Sequence, residues 1–435
     1  LQTFLPFYRL GFFSIQKFRV LNCTKMKKVE KRHLFSLIFW SFPDKMLARY
    51  SGLSIQRRCV ARHFAGKRRR GGGRVVSFAL SGDKKATKVV VFSTHAYERD
   101  ILEKALSSSN CAVTFLKPRL TAETVDLAKG FDVVCAFVND DLSSDVLERL
   151  KNFCGVGMIA LRCAGFDKVD VNTCRELGVK VYRVPMYDPL SIAEHAMALI
   201  LALNRKIVTS HNRVQSGNFT LDGLVGFSMR GKTLGVLGTG KIGRGLAAIC
   251  AKGFGMNVLG YDLQQKDGFV GQYCNDVETV LKNSDIVSLH LPLNVHTKHF
   301  IGEKEIASMK EGAMLINTSR GALLNIKDVI CGLRLGKISG LGIDVYESEE
   351  KIFSKDFSNL TVEEKMVYWD DTMAQLSSLP QVLVTPHQAF LTFEALTEIA
   401  ECTKQNILRF VQLNDEENEG GYRGAEETAD VNRVC

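Results

Sequence analysis

The stretch TLGVLGTGKIGRGLAAICAKGFGMNVLGYD, residues 233 to 262, constrains the fold more than any other part of the chain. An apolar β-type run ends at Gly238, and Gly238, Gly240 and Gly243 form a GxGxxG pattern at the head of a helix-like segment. In a strand-turn-helix unit each glycine has a task. The first permits a tight turn, the second lets backbone approach a pyrophosphate, and the third allows the helix to pack closely on the strand. The phosphates then meet the positive end of the helix. A lone GxGxxG is a weak signal. Here a second β-type run, NVLGYD, follows and ends in Asp262, 19 positions after Gly243. An acidic residue in that place hydrogen-bonds the adenosine ribose hydroxyls, and its charge repels a 2′-phosphate. Leu263, Gln264 and Gln265 offer no arginine to bind one. The expected cofactor is NAD, not NADP.

The same alternation extends over most of the chain. KVVVFST, VTFLK, VVCAFV, MIALRCAG and KVYRVP form a first series of β-type runs, ending at Pro185. TLGVLG, NVLGYD, DIVSLHL, AMLINTS, GLGIDVY and QVLVTP form a second. Near-continuous apolar runs with helical spacers predict parallel sheets covered on both faces, so the expected fold class is α/β with two doubly wound parallel-sheet domains. Between the series, SIAEHAMALILALNRKIVTSHNRVQSG reads as a helix with Ser191 as N-cap and Glu194 as its capping-box partner. Its first half is apolar on nearly every face, which places it at a domain or subunit boundary. FLTFEALTEIAECTKQNILRFVQL reads as one amphipathic helix from Phe390 to Leu413, and residues 414 to 435 as an acidic, disordered tail.

The chain has 435 residues and a net charge of +10, a value that alone hints at nucleic acid or membrane partners. Residues 1 to 86 hold 20 Lys+Arg and 3 Asp+Glu; against totals of 57 and 47 this leaves 37 and 44 for the rest. The folded body is therefore mildly acidic, and neither partner class is expected. From Met46, taken as the expected start, no acid occurs before Asp83, and Arg and Ser are frequent, as in an organelle transit peptide. The alternatives are a cytoplasmic protein with a basic tail or, from KRRR at 67 to 70, a nuclear one. Mitochondrion and plastid stay equally open. The apolar run from Leu34 is too short to span a bilayer. The twelve cysteines include no CxxC and no Cys/His cluster, so no metal site is expected and they read as buried hydrophobes in a reducing compartment.

Hydride exchange between a nicotinamide and a carbonyl needs a substrate clamp, an acid for the developing alkoxide, and a partner for that acid. In an open parallel sheet these belong at the carboxyl ends of strands. Arg320 ends AMLINTSRG, and its guanidinium fork suits a carboxylate. Asp344 lies in GLGIDVY, Glu349 follows it, and His387 ends QVLVTPH. A carboxylate beside an imidazole favours the protonated ring, so Glu349 is expected to hold His387 as an acid near neutral pH. Taken singly, these residues read equally well as a surface ion pair, solvated acids and a strand cap. Pro386 stops the last strand and turns His387 toward the cleft between domains.

FVNDD, ALRCAGFDKVD, RVPMYDPLSIAEHA, GKTLGVLGTGKIG, SLHLPL, INTSRGAL, DVYESE and HQAFLT together resemble the D-isomer-specific 2-hydroxyacid dehydrogenases, within them the D-lactate branch of bacterial fermentative type. The resemblance covers about residues 88 to 413. It implies Arg320, Glu349 and His387 as the catalytic set, with His387 as acid/base and Asp344 supporting Glu349 near the nicotinamide. It implies that Ala164, Gly165 and Tyr187 line the substrate pocket with Arg320, and that Lys241, Ile242, Pro292, Thr318 and Ser319 join the glycines and Asp262 around NAD. It further implies a flavodoxin-like substrate domain (87–186 plus 386–413) with a Rossmann domain (187–385) inserted, and a homo-oligomer, dimer or tetramer, formed through the helix near Ala193 to Lys206. The 38 positions from Glu349 to His387 hold an insert that fits the lactate branch, where other members have proline after the glutamate. The expected reaction is reduction of pyruvate to D-lactate, with hydroxypyruvate, glyoxylate or phenylpyruvate as alternative keto acids. The same scaffold also serves NAD(H)-sensing corepressors; the complete Arg/Glu/His set argues against that role here.

Overall fold

The apolar runs pair as two separate parallel sheets. In the computed structural model, which describes residues 86–107, 111–353, 355–368, 370–418 and 432–435, the first sheet holds β1 (Thr87–Val91), β2 (Cys111–Phe115), β3 (Val133–Ala136), β4 (Met158–Leu161) and β5 (Lys180–Tyr182). Their order is β2-β1-β3-β4-β5, with every pairing parallel. The second holds β6 (Thr233–Leu237), β7 (Asn257–Tyr261), β8 (Gln272–Tyr273), β9 (Ile286–Leu289), β10 (Ala313–Asn317), β11 (Ile338–Ile343) and β12 (Val382–Val384). Its order is β12-β11-β10-β9-β6-β7-β8, again all parallel. Strand order reverses beside β1 in one sheet and beside β6 in the other, the crevices where open α/β sheets bind ligands. Met46, KRRR at 67 to 70 and the apolar run from Leu34 lie outside the described residues.

Continuous apolar sequence makes these sheets two-sided. VVCA in β3, MIAL in β4, IVSL in β9 and AMLIN in β10 are buried at every position. One face of the second sheet packs Leu315 and Ile343 against Val329 and Leu333; the other packs Met314 and Ile316 with Ala196, Met197 and Ile200. The last three belong to the helix Pro189–Asn204, which buries one side here, whereas its composition predicts burial on more than one. Its cap differs from expectation. Asp188, not Ser191, is the N-cap and accepts from Leu190 N–H at 3.2 Å, because Pro189 takes the first helical position, where its fixed φ and missing N–H cost nothing. Ser191 is instead buried in the first turn and donates to Asp188. The helix also stops at Asn204; Lys206, at φ 50, separates it from a second helix, Ile207–Gln215.

After β12 the chain returns to the first sheet. The helix Phe393–Asn418 places Ile407 and Phe410 in a core with Val89, Met158 and Tyr182. It runs beyond the expected end at 413. The tail also departs from the expected disorder: Asn432 to Cys435 lie antiparallel beside β5, where Val181 N–H donates to Cys435 O at 3.1 Å and Val434 N–H to Val181 O at 2.8 Å. The open edge of β5 supplies unpaired backbone groups that this segment satisfies.

Candidate active site

A cleft of about 780 Å³ opens where the carboxyl ends of the two sheets face each other. Ala164, Gly165 and Tyr187 line it from one side. Gly240, Lys241, Ile242, Gly243, Pro292, Thr318, Ser319, Arg320 and His387 line it from the other. Gly238, Asp262, Asp344 and Glu349 stand behind these walls and shape them.

The glycine turn is tight enough that side chains cannot enter. Gly238 has φ +96, and a Cβ there would lie 2.4 Å from His290 O; one on Gly243 would lie 2.1 Å from Gly238 O. A Cβ on Gly240 would meet nothing within 4 Å, so this is where backbone is open to a ligand. Asp262, at the end of β7, accepts from Thr239 N–H at 2.7 Å and Thr239 Oγ1 at 3.1 Å, tethering the turn. Two buried polar atoms in the cleft wall lack a partner among the described residues: His290 Nδ1 and Thr318 Oγ1. His290 Nε2 is engaged with Ser288 Oγ at 2.9 Å, and burial pushes the ring down to about 4, so it is neutral near pH 7. Buried polar groups ordinarily have partners, so a turn open at Gly240 beside two such atoms fits a bound dinucleotide.

Arg320 sits on the loop after β10. Asn317 staples that loop, donating from Nδ2 to Arg320 O at 2.8 Å and accepting from Ser319 N–H at 3.0 Å. Gly321 presses it onto the turn after β11: a Cβ there would be 2.1 Å from the Tyr346 carbonyl carbon. That turn carries Glu349, whose Oε2 accepts from Tyr346 N–H at 3.1 Å while Oε1 accepts from His387 Nδ1 at 2.7 Å. His387 therefore turns Nε2 toward the cleft. Its backbone is left-handed, at φ 56, an uncommon conformation for a residue with a side chain. Asp344 holds it there. Its carbonyl accepts from His387 N–H at 2.8 Å, and its carboxylate accepts from Gln388 and Ala389 N–H at 2.9 and 2.8 Å. Fully buried, Asp344 also accepts from Thr385 Oγ1, which meets His195 Nε2 at 3.0 Å. This is a different task from the expected one of supporting Glu349.

The opposite wall meets Arg320 directly. A Cβ on Gly165 would lie 1.9 Å from Arg320 Nη2, so only glycine lets the guanidinium rest there. Asp167 accepts from Arg320 Nε at 3.3 Å, and Ser319 O accepts from Nη1 at 2.8 Å. Arg183 donates to Ala164 O at 2.8 Å and lies over the Phe166 ring. Tyr187 packs edge-on against Phe390, with centroids 6.2 Å apart, and Phe390 tilts toward Phe137 at 6.1 Å. Burial pushes the Tyr187 phenol up to about 12, keeping it neutral. Sequence reasoning missed Asp167, Arg183, His195, His290, Phe137 and Phe390. His290 and Asp167 lie within the quoted motifs SLHLPL and ALRCAGFDKVD; the contact of Asp167 joins it to Arg320, 153 positions away, while His290 bonds Ser288 within its own motif.

The sequence profile described as D-isomer specific 2-hydroxyacid dehydrogenase, NAD binding domain, matches residues 197–389. The chain is 45% identical to a D-lactate dehydrogenase of Escherichia coli over 322 residues, 74% of this chain and 95% of the relative. Among solved structures it is similar to the pyruvate reductase of Chlamydomonas reinhardtii, with TM-score 0.70, 44% identity and coverage of 75% of this chain and 97% of that one. It is also similar to a D-lactate dehydrogenase from Aquifex aeolicus complexed with NAD and lactic acid, with TM-score 0.65, 30% identity and coverage of 78% and 100%. Dinucleotide cradle, cleft and relatives thus agree, and the chain belongs to the D-isomer specific 2-hydroxyacid dehydrogenases, NAD-dependent oxidoreductases of small hydroxy and keto acids.

Proposed function

We propose that this enzyme reduces pyruvate to D-lactate, reversibly, with His387 as the proton donor. The observation that carries the reading is the 2.7 Å contact between His387 Nδ1 and Glu349 Oε1 on the wall that also bears Arg320. Glu349 accepts a hydrogen bond from Nδ1–H, which keeps that proton on Nδ1, so the cleft-facing Nε2 is the end that gives and receives a proton. Arg320 holds the substrate carboxylate through two parallel hydrogen bonds, with the amides of Ala164 and Gly165 beside it. Binding requires the guanidinium to exchange its contact with Asp167 for the incoming carboxylate. NADH, when bound by the glycine turn, Asp262, Lys241, Ile242, Pro292, Thr318 and Ser319, supplies the hydride. Asp344 keeps His387 in its left-handed turn, so the ring is placed before substrate arrives. Tyr187, Phe390 and Phe137 leave an apolar surround that favours a methyl group on the keto acid.

Replacing His387 with Ala is expected to lower turnover roughly 10²- to 10⁴-fold, the usual range for losing a general acid, with NADH binding retained. Near-normal turnover overturns the assignment. A panel of pyruvate, hydroxypyruvate, glyoxylate and phenylpyruvate, compared by kcat/KM, tests the substrate. One methylene discriminates by only about 10- to 200-fold, so the panel and not the pocket outline decides.

The wider reading follows the same reaction. A fermentative role, oxidising NADH, is its direct consequence. Residues 87–186 with 386–413 act as the substrate domain that closes over the NAD domain at 187–385. A homo-oligomer is supported by apolar side chains exposed near the helix pair, among them Ile207, Phe219, Leu221 and Val225 at 55%, 72%, 79% and 85%; a monomer in sedimentation would remove it. The acid-free stretch after Met46 supports an organelle address, which a fluorescent fusion of residues 46 to 90 tests by where it accumulates.

A further inference from the structure

Cys435 comes to lie against the helix Val171–Leu177, because the segment from Asn432 pairs antiparallel with β5, the edge of the first sheet. Cys174 in that helix is fully buried, and Val434 and Cys435 pack against the same core. Val179 links the two: its N–H donates to Cys174 O at 2.9 Å, and its carbonyl accepts from Cys435 Sγ at 3.9 Å. The two thiols thus belong to one packed cluster, and each shifts the other's proton affinity, Cys174 upward and Cys435 downward. Neither residue touches the cleft, and nothing in the proposed reaction uses them.

We propose that Cys174 and Cys435 form a reversible disulfide that fastens residues 432–435 to the edge of the first sheet. The two thiols lie on separate elements of one packed cluster, both close to Val179, and one is shielded while the other is only half-buried. Interaction with Cys174 draws the Cys435 thiol down to about 7, and the nearby Arg175 and Arg433 act in the same direction. Cys174 is pushed up by that interaction and by burial. Cys435 is thus the attacking thiolate and Cys174 the resolving thiol. The oxidant is a low-molecular-weight disulfide such as oxidised glutathione. Cys435 thiolate attacks one of its sulfurs, forming a mixed disulfide and releasing one glutathione thiolate, which takes up a proton. Cys174 then attacks the Cys435 sulfur, passing its own proton to the second departing glutathione. Two protein thiols are oxidised by two electrons, and one glutathione disulfide becomes two glutathione thiols.

The fastened segment braces one wall of the cleft. Arg183 N–H donates to Asn432 O at 2.8 Å, and Asn406 joins both residues, donating to Arg183 O and accepting from Asn432 Nδ2, each at 2.9 Å. Arg183 in turn donates to Ala164 O at 2.8 Å. Oxidation therefore stiffens the end of β5 without occupying the site.

The test incubates the full chain with oxidised glutathione, blocks remaining thiols and identifies tryptic fragments by mass. Expected is a fragment joining residues 169–175 to the peptide that begins at Val434, lighter than its two parts by two hydrogen atoms and restored by reductant. Its formation at pH 8 is expected to be about tenfold faster than at pH 6, following the thiolate fraction of Cys435. Hydrogen exchange at Val181 and Val434 amides slows with the linkage, and Cys174→Ser removes that slowing while leaving glutathione on Cys435. The exposed Cys331, changed to Ser, alters none of this. Wild-type protein that stops at the glutathione adduct of Cys435, or that joins Cys435 to Cys402, overturns the proposal.

Discussion

At the scale of single residues, the site is built from contacts that each restrict what a neighbour can do. Arg320 is the clearest case: its three nitrogens are occupied by Asp167, Ser319 O and the close approach of Gly165. Asp167 occupies the guanidinium edge to which we assign the substrate carboxylate and carries the same charge, so in that reading it competes with that carboxylate. Its side chain and that of Arg320 are 35% and 28% exposed, and ion pairs this open to water are weak, on the order of 0.5 to 1 kcal/mol. Asp167→Asn keeps an acceptor for Arg320 Nε and removes the charge. The expected result is a KM for pyruvate lowered roughly threefold to fivefold with kcat little changed; a raised KM would mean that Asp167 orients Arg320. How much of this was legible in sequence follows the range of each signal. Arg320, Glu349 and His387 were readable because each stands at the carboxyl end of an apolar run, a local cue. The pairing of Arg320 with Asp167, 153 positions away, has no local cue.

At the scale of elements, the strands were the most legible, because a two-sided parallel strand is apolar at every position and its sequence says so. β8 escaped notice: Gln272 and Tyr273 carry no apolar run and pair only through backbone. The start of the helix at Pro189 is set by competition between two caps three positions apart, Asp188 and Ser191, decided by the proline between them. The glycine turn is an element in the same sense, since its three glycines act jointly. Gly243 faces Gly238 O so closely that an added methyl meets backbone that cannot rotate away. Gly243→Ala is expected to push the helix Lys241–Ala248 off β6, costing about 1 to 3 kcal/mol in denaturant unfolding. It should also weaken NADH binding at least about tenfold by fluorescence titration, which is about 1.4 kcal/mol. Unchanged affinity would mean that the turn does not hold the cofactor.

At the scale of the whole molecule, the cleft joins the binding site to the stability of the fold, because residues between the two sheets are desolvated whether or not a ligand is present. His290 shows this most plainly. It follows β9, lines the cleft and is partly buried, and burial lowers it from 6.5 to about 4. The sign follows from which state binds the proton. Below pH 6.5 the unfolded chain takes up a proton at this residue while the folded chain does not, so the unfolded state gains. The contribution of neutral His290 to stability is therefore complete above about pH 6.5 and is lost as pH falls toward 4. Between pH 7 and pH 5 the loss is about 2 kcal/mol. Urea unfolding of the protein without NADH, at both pH values, measures it. His290→Gln removes the titrating ring, so its stability should fall less than wild type over the same interval, by about that 2 kcal/mol. The level of stability of the variant is immaterial; its slope with pH is the observable. His95, also lowered by burial, titrates in both proteins and cancels from the comparison. Coincident slopes would show that His290 takes up its proton without unfolding the chain, through a cleft that admits water to Nδ1.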